Sequence, residues 1–459
     1  MTKKITFGFE FFNFRKENPD VVHLIHHRLG KMDNLKDVDD NKFRFSQVLD
    51  SVFHYFLNEG GARENIRLAK ANEDLKNDII PIAVAYGPTD WTDLDYNGFK
   101  KHNALSVFEY LNSKFITDLQ NGNAMLMLDQ SVEGYHNFWL WNWFHRKCLQ
   151  YNIDPACIIY FTGDQSCSDS YNKWCIENNQ QPRLNVFPST SLSTWVYQYH
   201  FKSGVNTKFE ELLNYKKQHS ETMFLYDCTN KRPRQQRIMF FLHLYNSGLL
   251  ELGNVSMSAK NEWHQIISRQ SDNSIIINTK LLIKYQLPEN IFNDLDDEPW
   301  HAKHLQSNEV EHYWVFVERI LHDMYKNSWV SVITESSYFE NDESVFISEK
   351  TFKPLACMQP FIIVGSKHSL KYLRKLGYKT FHPFIDESYD DLEDADRFIA
   401  ITNLLKQINA IEDKAAWYES MRDILEHNYK LFLSITHCES AEYQAIKKCY
   451  LNYFKDSNV

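Results

Sequence analysis

The sequence predicts an α/β protein: two Rossmann-like domains facing a central cleft, with C-terminal helices. Three observations carry this. The chain has 459 residues, more than one hydrophobic core usually serves, so two domains are expected. Short apolar runs alternate with longer amphipathic ones, the pattern of βαβ units on a parallel sheet. A polar stretch over residues 202–222 separates one such series from the next. The expected division is residues 1–205, residues 215–410, and terminal helices over residues 411–459.

The elements follow in order. Residues 5–12, 79–86, 124–128 and 157–162 are short apolar runs closed by polar residues or glycine, and read as strands. Residues 135–149 carry Trp and Phe at helical spacing. The run Phe138, Trp139, Trp141, Trp143 and Phe144 could stack on a ring, but at that spacing it marks a core face more often. The pattern restarts with a strand at 223–226 and a helix at 235–250. Further strands are expected at 330–334, 361–364 and 379–381. Further helices are expected at 310–324, 369–376 and 392–408, and the chain reads as helical beyond Glu412.

Composition excludes several classes. Hydrophobic residues make up 43% and charged residues 24%, an ordinary globular balance. The net charge of −10 speaks against stable nucleic-acid binding, which favours a basic surface. It leaves room for a local basic site. Eight cysteines without a C-x-x-C pair read as free thiols of a cytoplasmic protein. The apolar opening is interrupted at Glu10, unlike a signal peptide. No apolar run reaches the roughly 20 residues of a membrane span. The close histidine pairs His26/His27 and His301/His304 have no companion ligands at a metal-binding spacing, so no metal site is expected.

The chemistry concentrates in residues 330–365. A strand runs into Glu335. Residues 347–354 then read Ile-Ser-Glu-Lys-Thr-Phe-Lys-Pro, and residues 359–365 read Gln-Pro-Phe-Ile-Ile-Val-Gly. Ser348 is a good helix N-cap, and Pro354 is tolerated only near a helix start. Glu349, Lys350 and Lys353 should then lie in or near a first helical turn. A helix N-terminus offers free N–H groups and positive potential to a pyrophosphate. Lys350 or Lys353 adds a full charge, and Glu349 can accept the hydroxyls of a ribose. A capped helix whose Glu and Lys face solvent is the plainer alternative. The flanking strands ending at Glu335 and Gly365 weigh against it.

This segment resembles the donor-binding signature of the α1,3-fucosyltransferase-like family. There an I-T-E-K segment is followed, about a helix later, by a V-P-V-x-x-G strand. Ser348 stands where that family has Thr, and its F-E-N-S segment is matched only loosely, at residues 333–337 or 339–342. The resemblance covers about fifty residues. It implies the two-domain GT-B fold and a nucleoside-diphosphate sugar used without a metal, with no separate cofactor. It also implies Glu349 on the ribose and Lys350 on the phosphates.

Two further constellations fit such a site. Residues 223–237 read as a strand feeding a basic turn and a helix, placing Arg232, Arg234 and Arg237 where a strand–helix loop meets the cleft. Arginines there can clamp a diphosphate and stabilise a leaving group; a basic surface turn is the alternative. In the first half, the strand at 124–128 leads to Asp129, Glu133 and His136. Any of the three could deprotonate an acceptor hydroxyl, though Asp129 could equally cap the next helix. Residues 160–164 read as another strand-end loop, from which Asp164 could line the cleft. Together these predict an inverting, metal-independent glycosyltransferase. A nucleotide-sugar epimerase of the same fold, or a non-catalytic binding protein, are the alternatives. The acceptor is open: a glycan, a lipid, a protein, or a modified DNA base in a phage setting.

Overall fold

A computed structural model describes residues 5–9, 66–70, 78–83, 92–94, 98–101, 106–111, 113–131, 134, 139–190, 192–193, 196–197, 200, 203–230, 232–263, 267–269, 275–291, 295, 298–300, 320–336, 344–434 and 441–454. Contacts divide the chain into two compact units. One is Met1–Ser191 with Thr436–Val459, the other Leu192–Ile435. Each has its own apolar core. Both are Rossmann-like α/β layers.

The first unit carries a six-stranded sheet. Its strands are β1 (Ile5–Phe9), β2 (Ile66–Lys70), β3 (Asp78–Ala83), β4 (Ala124–Gln130), β5 (Ile158–Thr162) and β6 (Asn185–Pro188), in the order β2-β1-β3-β4-β5-β6. Every pairing is parallel. All residues of β4 and β5 are buried, as an inner parallel strand covered on both faces requires. Helices α1 (Ser113–Gln120), α2 (Leu140–Tyr151) and α3 (Cys167–Glu177) connect them. The tryptophan run is core: Trp139, Trp141, Trp143 and Phe144 are all buried. Trp141 and Phe144 pack on Tyr160 of β5. The last helix, Ala441–Tyr453, joins this core through Ile446 and Tyr450.

The second unit carries a four-stranded parallel sheet of β7 (Phe224–Thr229), β8 (Gly253–Ser256), β11 (Ser328–Thr334) and β12 (Phe361–Val364), in the order β12-β11-β7-β8. In chain order its elements are α4 (Phe209–Gln218), β7 (Phe224–Thr229), α5 (Gln235–Asn246) and β8 (Gly253–Ser256). An antiparallel pair follows, β9 (Ile267–Arg269) and β10 (Ile275–Ile277). Then come α6 (Thr279–Lys284), α7 (His322–Lys326), β11 (Ser328–Thr334), α8 (Glu349–Ala356), β12 (Phe361–Val364), α9 (Ser369–Lys375), α10 (Asp394–Asn409), α11 (Lys414–Ser420) and α12 (Arg422–Ser434). From β7 the chain passes through α5 to β8 on one side. From β11 it passes through α8 to β12 on the other. Adjacent strands whose connections diverge leave a crevice at their carboxyl ends, the usual ligand position in an open α/β sheet.

Two differences from the sequence reading have physical causes. Residues 379–381 form no strand. Their backbone is met by side chains: Asn428 bonds both Lys379 N and O, each at 2.8 Å, and Glu387 takes Phe381 N at 2.5 Å. The short strands β2, β6, β8, β9 and β10 carry too little apolar length to stand out from turns. Within 310–324, the described helix begins only at His322, and residues 310–319 lie outside the described residues.

Candidate functional site

A cavity opens at the carboxyl ends of β7 and β11. Thr229 lines it from β7, and Ser331 to Thr334 line it from β11. Two helix starts border it. Arg232 and Arg234 precede α5, and Arg237 lies in its first turn. Glu349 and Lys350 come from the first turn of α8, and Lys353 from its last turn. The site thus gathers five basic side chains and the positive ends of two helices. Asp227, Tyr325 and Ser336 complete its wall.

Helix α8 starts where the sequence reading puts it, capped by Ser348, but Pro354 lies near its end rather than near its start. The Ser348 hydroxyl accepts from Lys350 N at 3.3 Å, meeting one of the orphan donors of the helix start. Pro354 lies within the helix, but only Leu355 and Ala356 follow it before the helix ends. Its carbonyl then turns the chain, accepting from Cys357 N and Gln359 N at 3.0 Å.

Beneath the helix start sits Glu335. It is fully buried, and its carboxyl group accepts four hydrogen bonds. These come from Ser348 N (3.0 Å), Ser348 Oγ (2.5 Å), Thr351 Oγ1 (2.6 Å) and Ser336 N (3.1 Å). Glu335 and Ser348 therefore lie behind the cavity wall and brace α8, whereas the other predicted donor-side residues line the cavity. Gly365, at the end of β12, makes room for this brace. A Cβ added there would stand 3.3 Å from the Glu335 side chain and 3.1 Å from Ile363 Cγ2.

The electrostatics are set by close packing. Burial pushes the Glu349 carboxyl up, but Lys350 and Lys353 outweigh it and hold it at about 2. Lys350 Nζ lies 2.6 Å from Glu349 Oε1 and 2.7 Å from Ser336 Oγ. Glu349 is thus ionised at neutral pH, an acceptor for hydroxyl donors. Burial lowers the Lys353 ammonium to about 8, with Glu349 opposing the shift and Lys350 adding to it. Burial, then Arg234, lowers Arg237 to about 10. Arg237 is fixed by the Thr334 and Glu335 carbonyls, both at 3.3 Å, while its buried Nε has no hydrogen-bond partner. Arg234 is anchored on the Ser336 carbonyl. Both arginines are therefore positioned before any ligand enters.

In the first unit, Asp129 is the penultimate residue of β4, with 3% exposure, and its Oδ1 accepts from Ser131 N at 3.0 Å, closing a turn. Asp164, fully buried, does the same with Ser166 N at 2.9 Å and Ser166 Oγ at 2.7 Å. Glu133, His136, and the histidine pairs 26/27 and 301/304 lie outside the described residues. Sequence reasoning missed Asp227, Ser336 and Thr351. Asp227 had a signal: a carboxylate inside the apolar run Phe-Leu-Tyr-Asp-Cys, a residue type rarely buried without a purpose.

No family model and no curated protein matches this chain. Among solved structures it is similar to an α,α-trehalose-phosphate synthase (UDP-forming) from Burkholderia vietnamiensis. The TM-score is 0.36 at 10% identity, over 75% of this chain and 71% of that one. It is also similar to a UDP-GlcNAc 2-epimerase from Neisseria meningitidis bound to UDP-GlcNAc. There the TM-score is 0.28 at 10% identity, over 93% of this chain and all of that one (100%). Among the described residues no helix is long and apolar enough to cross a membrane.

Proposed function

We propose that this chain is a glycosyltransferase of the GT-B type, holding the diphosphate of a nucleoside-diphosphate sugar in the cavity between α5 and α8. One observation carries the reading. Two helix N-termini and five basic side chains converge on one cavity at the carboxyl ends of β7 and β11. A diphosphate is the ligand that uses all of them.

The proposed roles follow from position. Lys350, Arg232 and Arg234 contact the phosphates, and Arg237 and Lys353 add charge from the buried side. In transfer, negative charge grows on the departing nucleotide, and preorganised cations there stabilise it more in the transition state than in the ground state. These side chains take the part that a metal ion plays in other transferases. Glu349, ionised between its lysines, accepts ribose hydroxyls. The base that deprotonates the acceptor hydroxyl comes from the first unit, at Asp129, Glu133 or His136. The transfer is inverting, and the sugar is of the hexosyl or fucosyl type.

The test is a thermal-shift screen of the whole chain against nucleoside diphosphates and their sugars. A ligand that binds only the folded state stabilises by about 2.7 kcal/mol at a hundredfold excess over Kd. Lys350→Ala should keep the unliganded melting temperature, weaken the responding ligand by about thirtyfold, near 2 kcal/mol for a lost charge-assisted contact, and abolish transfer. Unchanged binding and turnover in that variant would sink the assignment. A labelled donor incubated alone should keep its sugar; a changed sugar would mean epimerisation instead.

A further inference from the structure

Two carboxylates line the donor cavity, and they are held differently. Glu349 faces Lys350 at 2.6 Å. Asp227 lies in β7, 3% exposed, and its Oδ2 accepts from Ser328 Oγ at 2.6 Å and Ser331 Oγ at 2.7 Å. The nearby cation is Lys216 of α4, itself fully buried. Lys216 spends its three protons elsewhere: on the Ser328 carbonyl (2.5 Å), the Tyr325 carbonyl (3.3 Å) and Gln359 Oε1 (3.2 Å). One carboxylate is therefore in direct contact with a lysine, and the side-chain donors on the other are two hydroxyls.

A diphosphate brings negative charge into the same cavity, beside a carboxylate that is itself buried. Repulsion between like charges is strong where water is excluded, and a proton on one of the carboxylates relieves it. We propose that a nucleoside diphosphate enters this cavity together with one proton, taken from solvent and held on Asp227. The inference rests on the donor-site reading above and goes beyond it by coupling occupancy to pH. The proton forms an O–H bond on the Asp227 carboxyl and returns to solvent when the nucleotide leaves. Asp227 acts as a positioning residue: it sets the charge beneath the diphosphate without touching the reacting atoms.

The surroundings favour Asp227 over Glu349 as the proton's place. Burial already pushes Asp227 up to about 6, against the pull of Ser328, Ser331 and Lys216. Glu349 sits at about 2 and would need a far larger push. Other groups face Asp227. Burial raises Cys228, beside it in β7, to about 12, and holds Tyr325 of α7 and Cys357 after α8 well above their ordinary values, so all three stay neutral near pH 6–7. From β8 and β11 the neighbours are Asn254, Ser328 and Ser331, which do not titrate. Lys216, lowered by burial to about 7, is the other group that titrates in this window. On the cavity side Lys353 changes charge nearer 8 and Arg237 nearer 10.

The sign follows from linkage. If binding takes up a proton, affinity rises as pH falls towards about 6, by up to tenfold per unit, and levels off below. The test is calorimetry on the full chain with UDP-glucose and GDP-mannose, in two buffers of different ionisation heat. Both probes carry a diphosphate esterified at each end, so neither has the terminal phosphate ionisation near pH 6. The wild-type chain should take up roughly 0.5–1 proton per site near pH 6.5–7. Asp227→Asn should take up none and bind with no pH slope between about pH 6 and 7, at an affinity near that of wild type below pH 6. Ser331→Ala removes a donor that favours the ionised carboxylate, so it should move the rise in affinity to higher pH. Zero uptake by the wild-type chain overturns the inference. Uptake that survives Asp227→Asn overturns it too and assigns the proton to Lys216. Failure of the wild-type chain to bind either probe at any pH overturns the donor-site reading, and this inference with it.

Discussion

Replacing Glu335 by alanine tests whether the donor-side helix is held from below. Glu335 is fully buried and accepts from two backbone N–H groups, Ser348 and Ser336, and from the Ser348 and Thr351 hydroxyls. In Glu335→Ala the hydroxyls can rotate to other partners, but the two N–H groups cannot. A buried donor left unmet costs about 1–3 kcal/mol, so the pair and the lost carboxyl contacts should cost about 2–5 kcal/mol. For a domain of roughly 150–250 residues each kcal/mol lowers the melting temperature by about 2–4 °C, giving a fall of about 4–20 °C. Differential scanning calorimetry of the whole chain should show this in the transition of the second unit. The start of α8 should also loosen, since Ser348 caps Lys350 while bonded to Glu335. Nucleotide affinity should therefore fall even at temperatures where the variant stays folded. Glu335→Gln keeps two acceptor positions and should lie between. If Glu335→Ala melts within about 2 °C of wild type and binds nucleotide as well, the bracing role is wrong.

Two further outcomes follow from the charge states. Because Lys353 loses its charge near 8, nucleotide affinity should weaken as pH rises from about 8 to 9.5, by up to tenfold per unit; a flat Kd over that range in calorimetry would remove Lys353 from the phosphate site. The cysteines at 148, 157, 167, 175, 228, 357 and 449 are all buried free thiols, with Cys148 pushed up to about 12 by burial. A thiol reagent at neutral pH should therefore label at most Cys438 in the native chain, and rapid labelling of several thiols before unfolding would contradict the packing of both cores.

The sequence by itself determined the α/β class, the strands that carry the longest apolar runs, and the start of α8. These are local properties. The run at 124–128 is apolar enough to be an inner strand whatever surrounds it, and Ser348 caps the helix through its own hydroxyl two residues away. The basic turn at Arg232–Arg237 was legible too, as a charged cluster directly after an apolar strand.

The tertiary structure decided what depends on distance along the chain. Glu335 and Ser348 are thirteen residues apart, and only the fold shows that one braces the other behind the cavity wall. Asp227 meets Ser328 and Ser331 across a hundred residues, a pairing set by the register of β7 on β11. Asn428 replaces a strand partner for Lys379, so a stretch that reads as extended forms no ladder. The last helix returns to the first unit because its apolar face, Ile446 and Tyr450, is buried there with Cys157 and Leu184. Hydrophobic pattern tells which face of an element is buried. Which partner buries it, and which polar group is stranded beneath, depends on contacts that no local window of sequence contains.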